Sequence, residues 1–157
     1  MKKKLLILGA GIYQVPLIET AKRMGLETIV ASIPGNYPGF ALADKVVYEN
    51  TVDKDAMLAL AKEEQVAGVC VCGTDVCVPA QGYVCDQLGM KGPSEVAAER
   101  AQDKALMKAA FEKGGVRTAR FIHVDINNAN PVDICEEIGY PVIFKSVDSS
   151  GSRGITR

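Results

Sequence analysis

Over about the first ninety residues, short unbroken apolar runs alternate with segments of helical period. Leu5-Leu6-Ile7-Leu8 runs to Gly9 without a polar interruption, as expected of a parallel strand covered on both faces. Leu17, Ile18, Ala21 and Met24 then fall at helical spacing, and Gly25 supplies the stop. Thr28-Ile29-Val30-Ala31 predicts a second strand. The loop Pro34-Gly35-Asn36-Tyr37-Pro38-Gly39 that follows excludes both helix and central strand. Lys45-Val46-Val47-Tyr48 is a third strand, and Asp53 opens a helix with Met57, Leu60 and Ala61 on one side. Val69-Cys70-Val71-Cys72 is a fourth, ending at Gly73. Thr74 or Asp75 is placed to cap the next helix, where Pro79 is tolerated only near the first turn. This β-α-β-β-α-β-α order predicts an α/β fold with a doubly wound, mostly parallel sheet. Ligands of such sheets sit beyond the carboxyl ends of the strands, which here feed the loops at residues 9–14, 32–39 and 73–75.

The pattern changes near Lys91-Gly92-Pro93, which predicts one domain over residues 1–92 and the start of another over 93–157. Ser94 is placed to cap a short helix through Arg100. Asp103 caps a second, with Leu106, Met107, Ala110 and Phe111 on its apolar side and Gly114-Gly115 as its stop. Residues 120–124 read as a strand, and residues 127–131 as a turn opening a helix with Ile134 and Ile138. Val142-Ile143-Phe144-Lys145-Ser146-Val147 is the last full strand. It runs into Asp148-Ser149-Ser150-Gly151-Ser152-Arg153-Gly154, after which Ile155-Thr156-Arg157 looks like the start of a returning strand. A lone hairpin is marginal in water and leaves ladder groups open at its edge, so these 157 residues are expected to be the front part of a longer protein.

Composition narrows the function classes. Eighteen lysines and arginines against 19 acids give a net charge of −1, which argues against a nucleic-acid surface. Lys2-Lys3-Lys4 precedes an apolar run too short for a signal peptide or a membrane span. Five cysteines (Cys70, Cys72, Cys77, Cys85 and Cys135) contain no C-x-x-C pair and read as buried thiols in a reducing cytoplasm. With His123 as the sole histidine, no metal cage is expected, and His123 itself reads as structural or exposed.

Three clusters carry candidate chemistry. Gly9-Ala10-Gly11-Ile12-Tyr13-Gln14 has the first two glycines of a phosphate-binding turn, but Gln14 stands in the third glycine position. Ser32 stands where an acid for ribose hydroxyls is expected, so nicotinamide or flavin binding is disfavoured. A turn that shapes a small-ligand pocket, with Tyr13 lining it or packing, is the better reading. Gly73-Thr74-Asp75 offers a carboxylate for an amine or hydroxyl, or simply a helix cap. The strongest signal is Lys145, set among Val, Ile and Phe. A buried ammonium needs an anion, and the donor-rich loop that follows suits a polyphosphate. The alternative is a lysine snorkelling from an edge strand before an ordinary turn.

On these residues the chain resembles the ATP-grasp superfamily, over essentially its whole length, as that family's amino-terminal portion. The stretch from Lys4 to Gln14 with Pro16 resembles the Rossmann-like domain that precedes the ATP-grasp fold. Gln102-Asp103-Lys104 with Lys108 resembles the helix entering the first nucleotide-binding subdomain. Tyr140-Pro141-Val142-Ile143-Phe144-Lys145 and the serine–glycine loop are similar to the lysine strand and flap over ATP. Among its branches the chain looks most like the carbamoyl-phosphate synthetase-like and biotin carboxylase-like carboxylate–amine ligases. The resemblance implies that ATP activates a carboxylate as an acyl phosphate, which an amine then displaces to give an amide. It implies ATP contacts from Lys104, Lys145, Ser149, Ser150, Gly151, Ser152, Arg153 and Gly154, with Arg153 near the terminal phosphate or acyl group. It also implies an acceptor pocket lined by Gly11, Tyr13, Gln14, Gly73, Thr74 and Asp75. Ser146 departs from the family's proline after the lysine, which is expected to loosen that strand. The family's magnesium ligands lie beyond residue 157, so this polypeptide alone is expected to be inactive. Small-molecule substrates, a cytoplasmic location and a homodimer complete the implied picture. The alternative is a non-catalytic small-ligand-binding or assembly module with a Rossmann-like fold.

Overall fold

The computed structural model describes residues 2–125, 127, 129–149 and 154–156. Strands β1 (Lys4–Leu8), β2 (Glu27–Ser32), β3 (Lys45–Tyr48) and β4 (Gly68–Val71) form one parallel sheet in the order β3-β2-β1-β4. Central β1 pairs with both β2 and β4, so that Leu6 stands beside Ile29 and Val69, and Ala31 of β2 stands beside Val47. Alternation sorts the side chains onto two faces. Leu6, Leu8, Ile29 and Ala31 pack with Met57, Leu60 and Ala61 of helix α2 (Lys54–Glu63) and with Ala80 and Val84 of helix α3 (Val78–Leu88). Ile7 and Val30 pack on the other face with Ile18 and Ala21 of helix α1 (Val15–Arg23). Burial on both faces explains why β1 carries no polar residue after Lys4.

The helix signals act as expected. Asp53 caps α2 by accepting from Ala56 N at 2.9 Å, Pro79 sits in the first turn of α3, and Gly89 ends α3 at φ +60°. Buried Thr28 donates through its N–H and Oγ1 to Asp44 Oδ2, both at 2.9 Å, and Lys22 reaches Asp44 Oδ1 at 2.9 Å. The Thr28 N–H bond, then Lys22, hold the Asp44 carboxyl down at about 2 against its ordinary 3.8. A carboxyl depressed by folding stabilises the native state above its ordinary value, and that contribution fades as the pH falls from about 4 towards 2. Asp44→Asn is expected to cost about 1 kcal/mol at pH 7, discounted for its solvent exposure. Denaturant titrations across pH check this, and the deficit should shrink from about pH 4 and close towards pH 2; a deficit independent of pH would refute the charge argument.

Helix α4 (Glu95–Gln102) belongs with the first compact unit, which runs to Gln102, past the break expected after Gly92. The reason is packing. A Cβ on Gly82 of α3 would stand 2.5 Å from Ala98 Cβ, so glycine lets the two helices close up. Lys54 adds bonds to Glu95 at 2.9 Å and Glu99 at 2.7 Å, and the two carboxylates raise its pKa, Glu99 most. Ser94 accepts from Ala97 N at 3.2 Å, as its capping position predicts.

The second unit, from Asp103, contains helix α5 (Lys104–Lys113), helix α6 (Pro131–Ile138) and an antiparallel pair of β5 (Phe144–Lys145) with β6 (Ile155–Thr156). Asp103 caps α5, and Asn130 caps α6. Two expectations fail here. Residues 120–124 form no strand, because Arg120 turns back to the carbonyls of Glu137 and Ile138 at the end of α6. The strand expected over 142–147 is paired only at Phe144–Lys145. Ser146 Oγ donates to Asp148 Oδ1 at 2.5 Å, so a side-chain turn replaces the ladder there. The ladder thus stops at Ser146, where the side-chain turn takes over. Among the described residues no helix is long and apolar enough to cross a membrane.

Candidate functional site

Two places gather the sequence-predicted residues, one in each unit. In the first unit the carboxyl ends of the strands hold the three expected loops together. Gly9 adopts φ +100°, which lets the chain leave β1 sharply while its N–H still donates to Ala31 O at 2.8 Å. Gly39 N donates to Ala10 O at 2.8 Å, joining the second loop to the first. Gly73, at φ +63°, lies against Tyr13, where an added Cβ would come within 2.4 Å of Tyr13 Cβ. That contact joins the third loop to the first.

Gln14 changes role. Its side chain is buried, and its Nε2 donates to the carbonyl oxygen of Cys72, so it is a strut between the β1 and β4 loops rather than an open pocket wall. Lacking a Cβ, glycine in this position could not make that link, which explains why the third fingerprint glycine is absent. Tyr13 is exposed, Asp75 is exposed and Thr74 half-buried. Neither Thr74 nor Asp75 caps a helix with its side chain. Thr74 instead bonds to the Cys77 thiol, whose pKa is pushed up by burial. Cys77 Sγ also lies 3.0 Å from Thr51 Oγ1, a contact with no signal in the sequence. Gly11, Tyr13 and Gly73 thus come together at the strand ends, where Tyr13 is exposed, and the exposed Asp75 follows two residues after Gly73. The cysteines depart from expectation as well: Cys77 and Cys85 are buried, Cys70 and Cys135 are half-buried, and Cys72, just past the end of β4, is exposed. His123 is exposed, as one of its two readings had it.

In the second unit, Lys104 stands at the first position of α5, and its ammonium donates to Val147 O at 3.2 Å and to Ser149 O at 2.6 Å. The lysine that opens α5 is thereby brought onto the loop that leaves β5. Ser149 Oγ donates to Ser146 Oγ at 3.1 Å, and Ser146 in turn holds the Asp148 carboxyl below its ordinary pKa. Lys108 is turned elsewhere, to Ala119 O at 2.8 Å and over the Phe121 ring at 5.1 Å. Lys145 is exposed, and Phe144 beside it is 38 % exposed, so the expected apolar enclosure of this lysine is not found. The cause is the two-stranded pair itself, on which no second layer is laid among the described residues of the unit. Gly154 takes φ +67° at the return turn, whereas Ser150, Gly151, Ser152 and Arg153 lie outside the described residues. The charge of this set suits an anion: two lysines belong to one hairpin unit. No cluster of three metal-ligating side chains occurs among the described residues.

No family model matches the chain. It is similar to the formate-dependent phosphoribosylglycinamide formyltransferase of Wolinella succinogenes, 29 % identical over 156 residues, covering 96 % of this chain and 39 % of that protein. Biotin carboxylase 1 of Bacillus subtilis is 27 % identical over 170 residues, covering 99 % and 37 %. Among solved structures, phosphoribosylglycinamide synthetase from Anaerococcus prevotii superposes with a TM-score of 0.76 at 34 % identity, covering 94 % of this chain and 38 % of that one. The chain therefore spans about two fifths of the length of the curated relatives it matches.

Proposed function

We infer, from a chain homologous to the amino-terminal portion of ATP-grasp carboxylate–amine ligases, that its two sites serve the two halves of such a ligation. The rim at the ends of β1 and β4 receives the small-molecule acceptor, and the Lys104–hairpin unit receives the phosphates of ATP. One observation carries the reading: Lys104 of α5 reaches the loop following Lys145, so the two cations that the family uses on phosphates serve one hairpin. When bound, ATP supplies the phosphoryl group that turns a carboxylate into an acyl phosphate, which an amine displaces to leave an amide and inorganic phosphate.

The residues of this chain contribute position and charge. Lys104 and Lys145 set positive charge against phosphate oxygens. At the acceptor rim the Asp75 carboxylate suits an amine, with Tyr13 as an apolar wall and Gly11 and Gly73 giving close backbone approach. Gln14 keeps the two loops at fixed separation and leaves substrate to its neighbours. Gly151, Ser152, Arg153 and magnesium belong to the reading through the family alone.

The test is ADP formation from ATP, a small carboxylate and an amine. Magnesium-dependent ADP release is expected from the whole ligase, and none from the 157 residues by themselves. Turnover by the 157 residues would refute the second expectation. A whole protein that binds a small ligand at the rim but never consumes ATP would favour a non-catalytic binding module instead.

A further inference from the structure

Before any ligand arrives, the ammonium of Lys104 already has two of its three N–H donors engaged, on Val147 O at 3.2 Å and Ser149 O at 2.6 Å. The backbone N–H of Lys104 also donates to Val147 O, at 3.0 Å. Two carbonyls two residues apart are therefore gathered on one nitrogen, which fixes the path of the chain as it leaves β5. On the same segment, Ser146 Oγ bonds Asp148 Oδ1 at 2.5 Å and accepts from Ser149 Oγ at 3.1 Å. A lysine that wandered in solvent would have to be ordered by its anion, at a cost in rotamer entropy. Here the carbonyls have ordered it in advance. Lys145, by contrast, is exposed.

We propose that Lys104 is a positioning residue that fixes the base of the β5–β6 hairpin, and that its third N–H is the donor it offers to an oxyanion. Hairpin order and anion binding are then coupled through one nitrogen. Only the identity of the anion rests on the nucleotide reading above; the positioning role stands on the geometry of the ligand-free chain.

Hydrogen exchange read by mass spectrometry on the 157-residue chain, without nucleotide, tests the first half. Lys104→Met is expected to speed exchange over residues 144–149 about fivefold, the scale of a lost charge-assisted bond at a partly open site. Residues 105–113 and the first unit should be unchanged. Lys104→Arg, a cation of similar reach, should restore most of the protection, and Lys145→Met should match wild type. Inorganic tripolyphosphate tests the second half, and should slow exchange over 144–149 in wild type but not in Lys104→Met. Wild-type exchange in Lys104→Met overturns the positioning role, as does acceleration spread equally over residues 105–113. Tripolyphosphate protection that survives Lys104→Met, or that is absent from wild type, overturns the coupling. ATP consumption by the whole ligase decides the ligase reading separately from either result.

Discussion

Gly39→Ala is expected to destabilise the first unit by about 3 kcal/mol, the range of overpacking against atoms that cannot yield. Gly39 is buried in a turn, and its backbone would tolerate a side chain, so the penalty is one of space alone. An added Cβ would stand 2.7 Å from Ala10 O, 2.9 Å from Ile18 Cδ1 and 3.0 Å from Ala10 Cα. Two of those three atoms are backbone, held by the bond from Gly39 N to Ala10 O and by the start of the β1 loop. The turn must therefore lift away, breaking that bond and opening the apolar cluster around Ile18, Phe40 and Leu42. For a unit of this size the melting temperature should fall by about 10 °C or more. Gly89→Ala is the control, because its glycine sits at φ +60° with nothing within 4 Å of the added carbon. That variant should lose only about 1 kcal/mol, the cost of a left-handed backbone. Equal losses in the two variants would mean that Gly39 is kept for flexibility and not for closeness.

The contrast between these glycines marks what a sequence can express. Period and punctuation are local, so the strands Leu5–Leu8 belongs to, the caps Asp53 and Asp103, and the stop at Gly25 could be read directly. The carboxyl-end rim was legible too, because a doubly wound order fixes which loops meet before any contact is known. What escaped depends on partners far away in the chain. Gln14 read as a failed fingerprint position until its amide was found on Cys72 O. Gly82 gave no sign of holding α4 in the first unit, since Ala98 stands sixteen positions along the chain from it. Lys145 was the largest misreading. Apolar neighbours in sequence do not enclose a side chain unless a second layer covers the strand, and β5 has only β6 beside it among the described residues. The proposed phosphate role of Lys145 consequently rests on the family resemblance and on Lys104, and no longer on the cost of burying charge.

That exposure makes Lys145→Ala a sharper experiment than it would be for an enclosed lysine. An exposed side chain with no packing role can be removed with little effect on folding, so a loss of activity cannot be laid to unfolding. If Lys145 meets the phosphates of ATP, the site must exclude water around it when nucleotide binds, because a cation in open solvent is screened too strongly to matter. Inside such a site one cation set against the developing charge is worth on the order of a hundredfold in rate. Lys145→Ala in the whole ligase is therefore expected to lower kcat/KM for ATP about a hundredfold, while the melting temperature of the 157-residue chain stays within about 2 °C of wild type. On the same reading Lys104→Ala should lose a comparable factor, and the double variant less than the product of the two, because both cations would then act on one polyphosphate. Steady-state ADP release against ATP concentration measures each value. Wild-type kcat/KM in Lys145→Ala would return this residue to the reading of a lysine that merely extends from an edge strand, and would leave Lys104 as the cation of the hairpin that acts on phosphate.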